Sequence, residues 1–282
     1  MTQPDAERAV LTPQSIAELA QIASDVYLFR YARHVAMFIT TTEGVILVDP
    51  IGQGNPHTPS LIKAAIGAVT DAPVRYLLYS HWGADHGIGG AVFADTAQFV
   101  GQRNVAPKIA AANDPTSPVP QILFDDYMGL DLGGKRIDLY AADLSDGDDY
   151  FILHYPARRL IMTVDYVQPR NVPFRTLLGH PDRIVERLQW IHESLGFDVL
   201  VSGHDSPHMT GVPSDVVEQR QYYLDLSDAI VAAQAGGAEA NSERMVEGVR
   251  AALAPKYGSW RRFDEFLALN VQGMLAWRNL SS

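Results

Sequence analysis

The chain has 282 residues, 47% of them hydrophobic, enough to bury a sizeable core as one large domain or two small ones. Cysteine is absent, which excludes disulfides, thiolate metal sites and cysteine nucleophiles. A formal net charge of −11, with no Lys/Arg cluster longer than the pairs Arg158-Arg159 and Arg261-Arg262, argues against a nucleic-acid partner.

The polar, acidic start "MTQPDAERAV" has no basic region leading into an apolar stretch, so no signal peptide is expected. No apolar run approaches the roughly eighteen residues that a membrane span needs. The expectation is a cytoplasmic protein that acts on a small molecule, away from membranes and nucleic acid.

The first thirty residues carry weak helical character. Three short β-rich runs follow, "DVYLFRYA", "HVAMFITT" and "GVILVDP", and read as an antiparallel meander. "PSLIKAAIGAVT" is a helix stopped by "DAP", and "VRYLLYS" is a buried strand. A second helix and the short strand "AQFVG" come next, then a loop at 113–120. The second half opens with "YMGLDLGGKRIDLYAA", two strands around a Gly-Gly turn, and "DYFILHYPARRLIMTVDY", a hairpin turning at Pro156 to Arg158. Ile184, Leu188, Ile191 and Leu195 recur at helical spacing, and "FDVLVSGHD" is a strand running into a loop.

From 214 onward the pattern is helical, with Tyr223, Leu226 and Ile230 on one face. These helices are expected to pack on the same domain, with pairing of two subunits into a homodimer as the alternative. Two successive strand-plus-helix halves without a flexible linker imply one α/β domain over 1–282. Its core is expected at about 25–213, a four-layer αββα sandwich with sheets inside and helices outside, followed by the C-terminal helices.

Four polar groups share one kind of position, each closing an apolar strand: Asp49, the cluster in "SHWGADHGIGG", Asp165 and His204. A single Asp at a strand end usually caps a turn, and a single His in a loop is usually solvated. Their joint occurrence is what points to one cleft, and imidazoles with carboxylates are donors for zinc, iron and manganese.

In these segments the chain resembles the metallo-β-lactamase-fold hydrolases, from about Asp25 to the helices after His204. The family's His-x-His-x-Asp-His followed by a glycine pair is matched by His81-Trp82-Gly83-Ala84-Asp85-His86 and Gly89-Gly90. The resemblance implies that Asp49 supports the site, that Asp165 is the metal-bridging carboxylate, and that His204 is on the last ligand loop. It also implies a departure. The family's first metal lacks two histidines here, because Gly83 and Leu144 stand at their places. That site is expected to be empty, and loss of the side chain at Gly83 is expected to open space beside Trp82. The second site keeps Asp85, His86 and His204, with Asp165 as a fourth ligand or base and His81 as a base behind the ligands.

The expected cofactor is one divalent ion, zinc first, with iron or manganese or a metal-free site as alternatives. The resemblance sets His34 near the cleft as a substrate contact; Trp82, Tyr127 and Tyr166 are candidate pocket walls. The leading reading is hydrolysis of a small ester, lactone, thioester or related acyl compound, with His81, Asp85 and Asp165 carrying the chemistry. A metal-independent lyase, cyclase or isomerase, and a non-catalytic binding remnant, are the alternatives. Of the other histidines, His208 is expected at the surface, His180 at a helix start, and His57, His154 and His192 in structural or exposed roles.

Overall fold

The structure, a computed structural model, describes residues 17–52, 56–144, 147–174, 181–204 and 210–281. The chain begins with four strands paired antiparallel in sequence order: β1 (Ala17–Ala23), β2 (Val26–Tyr31), β3 (His34–Thr40) and β4 (Val45–Val48). The expected meander is therefore one strand longer. "AELAQIA" favours helix by composition, but pairing with β2 and burial of Ala20 and Ile22 against the inner core override that preference.

Helix α1 (Thr58–Gly67) returns the chain to β5 (Val74–Tyr79), which lies parallel to β4. Strands β6 (Gln98–Gln102) and β7 (Ile122–Phe124) continue the sheet in parallel, with α2 (Val105–Ala112) between them. Two expectations change here. The helix before "AQFVG" is only a single 3-10 turn at Gly90–Phe93, and two elements that the sequence reading did not name, α2 and β7, stand on either side of the loop expected at 113–120.

The second sheet starts with β8 (Tyr127–Leu132), β9 (Lys135–Leu144), β10 (Gly147–Tyr155) and β11 (Leu160–Val164), each antiparallel to the next. Gly133 and Gly134, with φ of 52° and 75°, form the left-handed two-residue turn between β8 and β9. After α3 (Pro181–Ser194), β12 (Val199–Ser202) runs parallel to β11, and β13 (Thr210–Gly211) forms the edge. Helices α4 (Pro213–Ala235), α5 (Glu243–Tyr257) and α6 (Phe263–Ser281) complete the chain.

Three cores give the layer order. Along β3, Val35, Met37 and Ile39 face the space between the sheets, while Ala36 and Phe38 face a second core with Ile62 and Ile66 of α1. A strand covered on both faces carries an unbroken apolar run, which is why "HVAMFIT" shows no polar alternation. The outer face of the second sheet, through Ile152, Ile161 and Leu200, shares a third core with α3 to α6. The architecture is the expected αββα sandwich. Tyr223, Leu226 and Ile230 all turn into this third core, each worth about 1.5–3 kcal/mol of apolar burial. Tyr222, Tyr257 and Trp260 close it with edge contacts at 4.8–5.1 Å between centroids. Among the described residues, no helix is long and apolar enough to cross a membrane.

Candidate metal centre

Strand direction gathers the site. Parallel strands β4 and β5 end at one sheet edge, which puts Asp49 beside Ser80 and His81. β3 is antiparallel to β4, so its first residue, His34, lies at that same edge. In the other sheet, parallel β11 and β12 end together at Asp165 and His204, and antiparallel β10 begins there, bringing Asp149 and Tyr150. Two backbone bonds cross between the sheets: Val35 N–H donates to Gly203 O at 2.8 Å, and Phe151 N–H to Ser80 O at 3.1 Å. His34 also bridges His204 as an isolated antiparallel pair.

Asp49 organises the first strand end. It is fully buried, with φ of 60°, and accepts three hydrogen bonds: Ser80 N at 2.8 Å, Ser80 Oγ at 2.7 Å and His86 Nδ1 at 3.1 Å. In the neutral ring the His86 proton sits on Nδ1, so Nε2 presents a lone pair to the cleft, the form that a metal binds. The Ser80 hydroxyl gives its single proton to Asp49. His81 Nδ1 therefore donates to Ser80 Oγ at 3.0 Å, and His81 Nε2 is also a lone pair. One buried carboxylate thus fixes both tautomers.

The lone pairs converge. His86 Nε2 lies 3.2 Å from His204 Nε2, 3.6 Å from Asp165 Oδ1 and 3.7 Å from Asp85 Oδ2. His204 Nε2 lies 2.8 Å from Asp165 Oδ1 and 3.5 Å from Asp85 Oδ2. Asp165 Oδ1 is buried, and the approach of His204 lacks hydrogen-bond geometry, so this oxygen has no hydrogen-bond partner. Donor atoms of His86, Asp165 and His204 fall within 4.8 Å of one another, as do those of His81, Asp85 and His86. An edge of a zinc tetrahedron with 2.0–2.1 Å bonds is about 3.4 Å. The donor set fits a divalent cation.

Electrostatics agree. Burial would raise the Asp165 carboxyl, but His204, His81 and His86 hold it well below the usual carboxylate range. Burial likewise works against Asp85, and its hydrogen bond with His34 and the charges of His86 and His204 hold it low. For His86, burial opposes the charged form, but the bond to Asp49 and the charges of Asp165, Asp49 and Asp85 prevail, pushing it up to about 9. His81 goes the other way: burial pushes it down, with Asp165 opposing only in part.

No protein-family model and no curated protein sequence matches the chain. Solved structures do. The stereoselective inverting sec-alkylsulfatase Pisa1 from Pseudomonas sp. matches 93% of this chain and 50% of its own, at 13% identity and a TM-score of 0.71. A metallo-beta-lactamase from Pontibacter korlensis matches 74% of this chain and 99% of its own, at 20% identity and a TM-score of 0.59. The metallo-beta-lactamase IND-7 matches 75% and 100%, at 12% identity and a TM-score of 0.60. The chain has the metallo-β-lactamase fold. It spans half the length of the alkylsulfatase, and a match of that coverage has to include most of α4–α6, which make up about a quarter of this chain.

Within the metallo-β-lactamase fold, the place expected to open beside Trp82 is filled. A Cβ on Gly83 would meet His81 Nε2 at 2.4 Å and Asp85 Oδ1 at 2.8 Å. The His81 ring stacks on Tyr150, 4.0 Å between centroids and 12° from parallel, and the Tyr150 hydroxyl donates to Asp165 Oδ2 at 3.4 Å. The loss of a side chain at Gly83 lets His81 lean toward Asp165, 3.5 Å from its Oδ2. Trp82 is half-buried; its backbone N–H donates to Asp149 Oδ2 at 2.7 Å, and Lys108 Nζ donates to Asp149 Oδ1 at 2.6 Å.

His34 stands at the cluster, Nε2 3.4 Å from Asp85 Oδ2. Two other expected contacts do not reach it. Tyr127 is on β8, two strands from β10 on the side away from β11; its ring packs on Tyr140, and its hydroxyl donates to Asp138 Oδ1 at 2.7 Å. Tyr166 is buried in the third core with its ring edge toward Tyr150, which stands between it and His81. Tyr150 is the group that sequence reasoning missed. Inside "DYFILHY" it reads as core, and only its place at the start of an antiparallel strand marks it. His57 and His192 are exposed and His154 is buried beside Gly196 O, as expected; His180 and His208 lie outside the described residues, as does the side chain of Leu144.

Proposed function

We propose that the protein is a metal-dependent hydrolase of a small ester, lactone, thioester or related acyl substrate. One divalent ion, zinc first, is held by Asp85, His86, His204 and Asp165. The observation that carries this reading is the clustering of imidazole nitrogens and carboxylate oxygens in overlapping triads, each with its donor atoms within 4.8 Å, with Asp165 Oδ1 buried and lacking a hydrogen-bond partner. Three carboxylates around these imidazoles favour a cation there even before one binds.

When bound, the ion supplies Lewis acidity to a substrate carbonyl and lowers the pKa of a water. The protein's own groups do the rest. Asp49 holds His86 with Nε2 turned inward before binding, which removes a reorganisation cost. His81, kept neutral by burial, accepts a proton at Nε2, 3.5 Å from Asp165 Oδ2. The Tyr150 ring under His81 and the Tyr150 hydroxyl on Asp165 keep acceptor and carboxylate in register. Trp82, half-buried beside His81 in the chain, is the residue assigned as a wall for the substrate.

A second reading is favoured by one finding. The alkylsulfatase match extends over α4–α6, whereas the β-lactamase matches leave a quarter of the chain uncovered. A sulfate ester is therefore the first alternative to a carboxylic one. The test is metal analysis of protein loaded with zinc, iron or manganese, together with turnover of an aryl acetate, a lactone, a thioester and a secondary alkyl sulfate. About one equivalent of metal and chelator-sensitive turnover are expected. Less than about a tenth of an equivalent ends the proposal, and turnover untouched by EDTA moves it to a metal-independent lyase or isomerase.

A further inference from the structure

We infer that His34 Nε2 is a metal ligand, a third imidazole recruited from β3, so that the ion is held by His34, Asp85, His86, His204 and Asp165. This rests on the reading that the cleft holds a divalent ion, and it goes beyond the ligand set above.

Three observations carry it. The first is distance. Asp85 Oδ2 is 3.4 Å from His34 Nε2, 3.5 Å from His204 Nε2 and 3.7 Å from His86 Nε2. These are close to the edge of about 3.4 Å between donors sharing one zinc ion. Donor atoms of His34, Asp85 and His204 also lie within 4.8 Å of one another. The second is ring orientation. The His34 ring meets His86 at 88° and His204 at 62°, with centroids 5.8 and 5.0 Å apart. The rings stand edge to face around a common point, as separate ligands do, rather than stacked. The third is the backbone. His34 bridges His204, and Val35 N–H bonds to Gly203 O at 2.8 Å, so the ladder that carries the last ligand loop also carries this imidazole.

The chemistry is consistent. The histidine missing at Gly83 belongs to the other metal position, so His34 adds to the set of Asp85, His86 and His204 and replaces nothing within it. Three neutral imidazoles with two carboxylates leave a divalent ion formally neutralised, a set that zinc, iron(II) and manganese(II) all accept. The side chains of His34 and Asp85 are 24% and 28% exposed, which puts this side of the cluster toward solvent, where an ion enters.

The test uses the full chain, loaded with zinc for X-ray absorption and with cobalt(II) for visible spectroscopy. It compares wild type, His34→Ala and His34→Gln. Three imidazoles are expected in wild type and two in each variant. Zinc affinity, measured against a chromophoric chelator, is expected to fall by more than about 100-fold, beyond the 10–100-fold that loss of an outer partner costs. Unfolding of the metal-free variants within a degree or two of wild type shows that the fold is intact; should either variant fail to fold, the count in wild type decides alone. Two imidazoles in wild type, or variants whose count matches wild type, overturn the assignment of His34 while leaving the hydrolase reading in place. A wild type that takes up no ion overturns both.

Discussion

Putting a histidine back at position 83 looks like a way to rebuild a second metal site, and the geometry says that it fails. The Cβ alone would stand 2.4 Å from His81 Nε2, about 1 Å inside ordinary contact, and 3.0 Å from His81 Cδ2, about half an ångström inside it. His81 has little freedom to retreat: it is 3% exposed, bonded through Nδ1 to Ser80 Oγ and stacked on Tyr150. Overpacking of this kind costs about 1–3 kcal/mol. At about 2–4 °C per kcal/mol for a chain of this size, the midpoint falls by roughly 2–12 °C. Because the clash begins at Cβ, Gly83→Ala is expected to show most of the loss, and Gly83→His is expected to bind no second equivalent of zinc. Calorimetry of the metal-free proteins and metal analysis of the loaded ones measure both. An unchanged midpoint for Gly83→Ala, or two equivalents bound by Gly83→His, would refute the packing argument.

Three further outcomes follow from the same contacts. Asp49→Asn removes the acceptor that sets the His86 and His81 tautomers, so zinc affinity is expected to fall about 10–100-fold, read by chelator competition; unchanged affinity would contradict the role given to Asp49. Asp25 is buried, which alone would raise its carboxyl, but Arg158 at 2.6 Å, Tyr155 at 2.8 Å and the Lys135 ammonium hold it below the usual range. Asp25→Asn is therefore expected to cost about 2–4 kcal/mol at pH 7. The stabilisation is complete above the unfolded carboxylate value and is lost as pH falls through the lower folded one, so the gap between variant and wild type in urea unfolding narrows below about pH 4; a gap that widens on acidification would contradict it. Asn270 is fully buried, donating to Pro173 O at 2.7 Å and Phe266 O at 2.9 Å. Asn270→Ala leaves Pro173 O without that donor and is expected to cost about 1–3 kcal/mol in the same assay.

The strand-end residues were legible in the sequence because each interrupts an apolar run with a group that a core excludes. Asp49, His81, Asp165 and His204 needed only that pattern and the parallel order of their strands. The role of His34 did not follow from it, since placing the first residue of β3 at the ends of β4 and β5 requires the antiparallel register. Tyr150 stayed hidden because an aromatic in an apolar strand is nearly always packing, and its contact with His81 crosses between the sheets. Gly83 misled in the opposite sense. A missing side chain suggested room, but that room is taken by His81, and only coordinates show which neighbour has moved in.

The backbone hydrogen bonds at Val35 and Phe151 cross from one sheet to the other and join ladders that are otherwise separate. His81 and His86 belong to one half, Asp165 and His204 to the other, so neither half owns a complete set of donors. Sliding the sheets by a single residue would scatter the cluster without unfolding either of them. An ion held by Asp85, His86, Asp165 and His204 would be in that sense a rivet, fastening donors from both halves together.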